Sequence, residues 1–252
     1  MRASTASGPA KMKYQIDYKF ESTTLTAENW DRLAAADAMW TVVSDPSKFG
    51  GKWDPQEFFA TGEPIIERIN SLENLGFQMQ RATAVDFGCG LGRVSRWLAK
   101  CFSHVVGIDI SPKMLDMAES YNAGKDAITF VQGNEKNIPL ATASADFIYS
   151  FIALQHIPRT LQDLYLREFA RVVRPGGYLY FQTPSHPIYV KETEFRQTFN
   201  TPSGPAHIDI HTFPRAAVEA LLHGAGCEVL RVFDDVSCGP GIKSFFYFVR
   251  KN

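Results

Sequence analysis

The segment Val85-Asp86-Phe87-Gly88-Cys89-Gly90-Leu91-Gly92-Arg93 constrains the fold of this chain more than any other. An apolar run that passes through glycines at alternate positions and then enters an amphipathic stretch reads as a buried strand, a tight turn and a helix. Glycine at such a turn permits backbone conformations that a Cβ forbids and lets a ligand approach the main chain. The spacing is G-x-G-x-G, not the G-x-G-x-x-G of a dinucleotide turn, and Asp86 stands two residues before the first glycine. A carboxylate facing that turn repels a pyrophosphate and attracts an ammonium group.

From about residue 82 onward, short apolar runs alternate with amphipathic segments, the pattern of a doubly wound α/β sheet. Strands are expected over residues 84–87, 105–110, 128–131, 147–151 and 178–183. Two more, 228–233 and 245–250, lie close enough in sequence to pair antiparallel at one edge. Ser111 followed by Pro112 is a helix start, and Arg174-Pro175-Gly176-Gly177 ends a helix that begins near residue 160. Upstream, residues 27–43 and 61–72 carry apolar residues at helical spacing, so residues 14–81 are expected as a helical cap on the core, behind a disordered tail at 1–13. Residues 184–212 hold four prolines without periodicity, which is long for a connection and points to a substrate insertion within the domain 82–252.

Composition narrows the function. Lys and Arg number 26 against 27 for Asp and Glu, so there is no excess positive field to hold a phosphate backbone, and nucleic acid is not an expected partner. The uncharged stretch 175–190 has 16 residues and is cut by Pro and Gly, short of the roughly 20 that span a bilayer, so no membrane association is expected. Cys89, Cys101, Cys227 and Cys238 show no C-x-x-C pair and fit a reducing, cytoplasmic location. The spacing of His186, His207 and His211 is too scattered for a metal site, and none is expected. The unusual quantity is the aromatic load, 19 Phe, 9 Tyr and 4 Trp.

Further motifs recur in order. Asp109 closes the second expected strand, Gly133-Asn134-Glu135 follows the third, Leu154-Gln155-His156-Ile157 follows the fourth, and Arg174-Pro175-Gly176-Gly177 precedes the fifth. With the glycine turn, this order resembles the class I S-adenosylmethionine-dependent methyltransferase family, in its small-molecule type 11/25 branch, over residues 82–251. Trp53-Asp54 and Phe58-Phe59-Ala60-Thr61-Gly62 extend the resemblance into the cap. It implies a Rossmann-like, doubly wound, seven-stranded sheet, mostly parallel with an antiparallel last strand. It also implies S-adenosyl-L-methionine as cofactor, leaving as S-adenosyl-L-homocysteine.

The resemblance assigns roles. Asp86, with the backbone around Gly88, would hold the cofactor's amino group while Gly90 and Gly92 allow close passage. Asp109 would take both ribose hydroxyls, as a carboxylate accepting two hydrogen bonds does. Ile110 and Met114 would sandwich the adenine, Asn134 would accept from its amino group, Glu135 would contribute its backbone N–H, and Phe151 would border the methionine part. Some positions stay open between two readings. His156 is a general base beside the methyl group or an imidazole that only packs. Arg93 reaches the cofactor carboxylate or lies on a helix surface. Trp30, Trp40 and Trp53 line a pocket or form core. No N-P-P-[YF] follows the fourth strand, where Ser150-Phe151-Ile152-Ala153 stands, and no double-glutamate loop is present. These gaps favour methyl transfer to an O or N atom of a small organic acceptor. The alternatives are a methyltransferase acting on RNA or protein and a catalytically silent, cofactor-binding scaffold.

Overall fold

The computed structural model describes residues 27–189, 196–200 and 207–252. The expected tail at 1–13, cap residues 14–26, and positions 190–195 and 201–206 of the insertion lie outside the described residues.

Three helices, α1 (Ala27–Val42), α2 (Pro55–Ala60) and α3 (Pro64–Asn74), precede β1 (Thr83–Phe87). The chain continues through α4 (Ser95–Leu98), β2 (His104–Asp109), α5 (Pro112–Tyr121), β3 (Ile128–Gln132) and β4 (Ala145–Ser150). A single 3-10 turn (Leu154–His156) leads to α6 (Arg159–Val172) and β5 (Val173–Pro187). The hairpin β6 (Arg196–Asn200) and β7 (His207–His211) follows, then α7 (Arg215–Gly224), β8 (Cys227–Asp235) and β9 (Ile242–Lys251).

Seven strands form one sheet in the order β3-β2-β1-β4-β5-β9-β8. β1 pairs in parallel with β2 and β4, and β9 runs antiparallel to both β5 and β8. The strand order reverses between β1 and β4, which opens a crevice at their carboxyl ends, where ligands bind in open α/β sheets. The expected antiparallel pair is present, with β8 as the edge and β9 inside it.

Alternation along the strands supplies both cores. On β4, Phe147 and Tyr149 face a core shared with Leu98, Ile69 and Phe248, whereas Ile148 faces Phe169, Phe181 and Leu222. α3 delivers Ile65, Ile69 and Leu72 directly to the first of these layers, so it is part of the sheet's own covering. α1 is different. Its Ala34, Ala38 and Met39 pack with Trp53, Phe58, Phe59 and Met114 in a third cluster above α5. Much of the aromatic load sits between β5 and β9, where Tyr178 stacks on Phe248 at 5.1 Å, Tyr180 on Phe246 at 4.9 Å and Phe181 on Tyr247 at 5.1 Å.

The helix start at Ser111 forms as expected, with its Oγ accepting from Met114 N at 3.0 Å and Pro112 in the first turn. Asp31 of α1 joins this cap: it accepts from Ser111 Oγ at 2.5 Å and from Lys113 N at 3.2 Å. A carboxylate at the start of α5 also meets the positive end of the helix dipole. The helix expected after the glycine turn contracts to the single turn α4, and β5 begins at Val173, ahead of the expected residue 178, across a register shift between Ala145 and Phe147. Among the described residues no helix is long and apolar enough to cross a membrane.

Asp146 ties the amino ends of β1 and β4 together. Its Oδ2 accepts from Ala82 N at 2.9 Å and Thr83 N at 2.7 Å, and Arg174 pairs with Oδ1. Asp146→Ala leaves part-buried backbone donors and a guanidinium without their acceptor, so unfolding in urea is expected to show a loss of about 1–3 kcal/mol. A loss under about 0.5 kcal/mol, the size of an ordinary surface change, is incompatible with this anchoring role.

Candidate active site

A cavity lies at the carboxyl ends of β1, β2 and β4, under α1. Its floor is the glycine turn. Gly88, Gly90 and Gly92 all hold left-handed backbone, with φ of +74°, +52° and +74°. The space their missing side chains leave is occupied: a Cβ on Gly88 would stand 2.2 Å from Ala153 Cβ, and one on Gly90 would stand 2.8 Å from Val42 Cγ2. The turn is therefore pinned between the segment after β4 and the lid helix α1. Gly88 N and Cys89 N both donate to Ile108 O, at 2.8 and 3.0 Å, which fixes β2 alongside.

Asp109 ends β2 and spreads its carboxylate over two backbone groups, Gly90 N at 2.8 Å and Ser111 N at 3.0 Å. Burial raises its pKa against these hydrogen bonds. The carboxylate bridges the turn to α5 and lines the cavity, in place for a ligand's hydroxyls. Asp86 is buried at the end of β1, where Ser95 Oγ donates to it at 2.6 Å. Desolvation pushes its pKa up to about 6, opposed by the Ser95 hydroxyl and by the charge of Arg93. A desolvated carboxylate that faces a cavity is matched by a ligand cation.

Arg93 is buried, not on a helix surface. Its Nη1 donates to Thr61 O at 2.9 Å and Thr61 Oγ1 at 3.3 Å, and Arg93 lines the cavity with Asp86 and Tyr149. Ile110, Met114, Glu135 and Phe151 line the cavity as well. Asn134 does not. Its amide oxygen accepts from Lys136 N at 2.8 Å and Asn137 N at 2.9 Å, and its Nδ2 donates to Asn137 Oδ1. Both lone pairs of that oxygen are spent on its own turn, so the side chain expected to accept from the adenine here forms a turn and does not line the cavity.

His156 is buried against the cavity, with its ring edge to face with Trp30 of α1 at 5.4 Å. Its Nδ1 lies 2.7 Å from Asp209 O and its Nε2 lies 3.1 Å from Gln155 Nε2. A backbone carbonyl only accepts, so Nδ1 carries the proton and Nε2 receives one from the amide. Burial holds the imidazole pKa down to about 4, against the raising effect of Asp209. Of the tryptophans, Trp30 lines the cavity, Trp53 is core beneath α2, and Trp40 packs on Phe49 at 5.0 Å with its Nε1 given to Asp45 O.

Several lining residues carried no sequence signal. Ile152 adopts φ of +56°, rare for a β-branched residue, and nothing in the sequence marks it. Thr41, Val42, Leu161 and Tyr165 arrive from separate helices. Asp31 was legible only as an acid on an amphipathic helix.

Residues 85–181 match the family model described as a methyltransferase domain. Similar curated proteins include the malonyl-[acyl-carrier protein] O-methyltransferase of Methylococcus capsulatus, 31% identical over 60% of this chain and 54% of that protein. The biotin biosynthesis bifunctional protein of Cellvibrio japonicus is 30% identical over 63% of this chain and 30% of that one. An O-methyltransferase of Aspergillus nomiae is 28% identical over 78% of this chain and 86% of its own. The chain spans about half or less of the length of the first two. Among solved structures, a methyltransferase of Methanosarcina mazei superposes with a TM-score of 0.60 at 22% identity, covering 75% of this chain and 97% of that chain. That likeness establishes the fold, which agrees with the seven-stranded mixed sheet.

Two measurements test the carboxylates. Asp109→Ala should weaken binding of S-adenosylhomocysteine by roughly 100-fold, about 3 kcal/mol, in calorimetry at pH 7. A carboxylate raised to about 6 is charged at pH 7 and mostly neutral at pH 5, so its attraction for a ligand ammonium is present at the higher pH and lost at the lower. Affinity should fall about tenfold over that interval. The fall should vanish in Asp86→Asn, and an equal slope in both proteins would remove Asp86 from ammonium recognition.

Proposed function

We propose that this chain, whose residues 85–181 form a methyltransferase domain of the class I S-adenosylmethionine-dependent family, type 11 branch, methylates a small organic molecule. The observation that carries the reading is the pair of carboxylates on neighbouring strand ends. Asp86 is desolvated beside the glycine turn, and Asp109 sits one strand away with Gly90 N on one oxygen. Their chemistry fits the two ends of S-adenosylmethionine, an ammonium and a ribose diol. The cofactor supplies an electrophilic methyl group on a sulfonium.

The chain's own contribution is alignment and exclusion of water. Asp86 would orient the amino group, and Arg93 is placed to attract the adjoining carboxylate. Ile110 and Met114 would flank the adenine, beside the Glu135 backbone, and Phe151 would wall the methionine portion. Trp30, Ile152, His156 and Leu161 bound the remaining space, which is mostly apolar, with the His156 imidazole and the Thr41 and Tyr165 hydroxyls as its polar groups. Such a wall leaves an approaching nucleophile poorly solvated and keeps the displacement in line. An acceptor oxygen is favoured over nitrogen by the names of the relatives, two of which are O-methyltransferases. All four cysteines are free thiols, in keeping with a cytoplasmic setting.

The test is incubation of the purified chain with S-adenosylmethionine and fractions of a metabolite extract, followed by mass spectrometry. The expected result is stoichiometric S-adenosylhomocysteine and a product heavier by one methylene. Tight cofactor binding without turnover on any fraction would favour the non-catalytic alternative.

A further inference from the structure

Behind the cavity wall runs a file of buried polar groups that cofactor binding does not use. Gln182 on β5 is fully buried, and its Oε1 accepts from Ile152 N at 3.3 Å. Its Nε2 is shared among Ser244 Oγ at 2.6 Å, Cys238 Sγ at 3.0 Å and Gln155 Oε1 at 3.3 Å. Gln155, also buried, accepts a second hydrogen bond from Cys238 Sγ at 2.9 Å and presents its Nε2 to His156 Nε2. His156 Nδ1 ends the file on Asp209 O of β7.

The direction of every bond in this file is dictated by its two ends. Ile152 N–H can only donate, so the amide oxygen of Gln182 faces it and the NH2 faces Gln155. The oxygen of Gln155 must then face Gln182 and the thiol, which turns its NH2 toward the imidazole. Asp209 C=O can only accept, so the imidazole proton sits on Nδ1 and the Nε2 lone pair is taken by Gln155. No link can be reversed without leaving a buried group unmatched, which is costly. The same file holds both unusual parts of the wall: Ile152, with its left-handed backbone, and the His156 ring under Trp30.

We propose that Gln182 is a positioning residue which, through Gln155, locks His156 as a neutral imidazole with its Nε2 occupied, making the ring a fixed wall of the acceptor space and not a free base. The role rests on the reading of this cavity as the methyl-transfer site. It also joins the insertion hairpin to the turn after β4, since Asp209 lies on one and Ile152 on the other. The charged group facing the ring is Asp209, whose carboxylate favours the imidazolium, and burial with the amide opposes it.

The test is nitrogen NMR of the full chain labelled at histidine, with the His156 signals assigned by their loss in His156→Phe. The wild type is expected to show a neutral ring protonated on Nδ1 from pH 5 to 8. Gln182→Leu, close in shape but without hydrogen bonds, frees the Gln155 amide to rotate. The Nε2 signal should then shift, and the titration should rise by a pH unit or more. S-adenosylhomocysteine affinity by calorimetry should stay within about threefold of wild type. Gln155→Glu places an acceptor against Nε2 and should make His156 an imidazolium at pH 7. If Gln182→Leu does not fold, Gln155→Glu decides alone. Wild-type nitrogen shifts in the folded variants would overturn the proposal. A wild-type chain that binds no S-adenosylhomocysteine would instead overturn the methyl-transfer reading, while the NMR result still decides the hydrogen-bond file.

Discussion

The arrangement depends first on three missing Cβ atoms. With Gly88, Gly90 and Gly92 in left-handed backbone, the turn after β1 is narrow enough for neighbours to close on it from several sides. Ala153 fills the space beside Gly88, Val42 the space beside Gly90, and Phe130 the space beside Gly92. These neighbours belong to the segment after β4, the lid helix and β3. A side chain at Gly88 or Gly90 would push away a different wall of the cavity, and one at Gly92 would press on Phe130 of β3. The motif is thus a packing hub as much as a ligand contact, and its steric cost is spread over elements distant in sequence.

The second layer of organisation is electrostatic. Asp109 holds Gly90 N on one oxygen and Ser111 N on the other, while Ser111 Oγ passes to Asp31 of α1. The glycine turn, the start of α5 and the lid are thereby joined through one serine. A ligand that binds Asp109 meets a carboxylate whose orientation is already set by backbone donors, so little reorganisation is needed on binding. Asp86 lies deeper, held by Ser95, and the nearby Arg93 is anchored to Thr61 of the segment between α2 and α3. Both ends of the cleft are therefore tied to the N-terminal helices by buried polar contacts.

Most of the sheet was legible because its strands are short, β-branched or aromatic runs bounded by glycine and acid, and local pattern reports such elements well. The helix cap at Ser111 and the cavity-lining places of Asp86, Asp109, Ile110 and Met114 were legible for the same reason: each is fixed by its distance from a strand end. What the sequence did not reveal was long-range. The hairpin β6–β7 is one such feature: β7 alternates as His-Ile-Asp-Ile-His, but it is short and lies within a proline-rich stretch, and its partner β6 carries no matching pattern. Arg93 reads as a helix-surface residue until α4 shrinks to one turn and Thr61 accepts its guanidinium. Asn134 was assigned by position along a motif, but a side chain three bonds from its own backbone found nearer partners in Lys136 and Asn137. Trp30 could not be separated from core tryptophans by helical spacing, because the same stripe that packs Trp53 below α1 also leaves one ring over His156.

These differences divide the cavity into two halves with different origins. The half that holds Asp86 and Asp109 is built within residues 85–181, the stretch matched by the methyltransferase domain model. The remaining wall borrows Trp30, Thr41 and Val42 from α1, and β7 supplies the carbonyl that holds His156; all of these lie outside that stretch. The family model's match therefore takes in the carboxylate half of the cavity and leaves out the walls that α1 and β7 supply. Since α1 is joined to the carboxylate half through Asp31 and Ser111, and β7 through His156 and Gln155, the walls outside that stretch are mechanically bound to those within it. A change of side chain at α1 or β7 can consequently reshape that part of the cavity without touching the carboxylates, provided that the serine link and the amide file are kept.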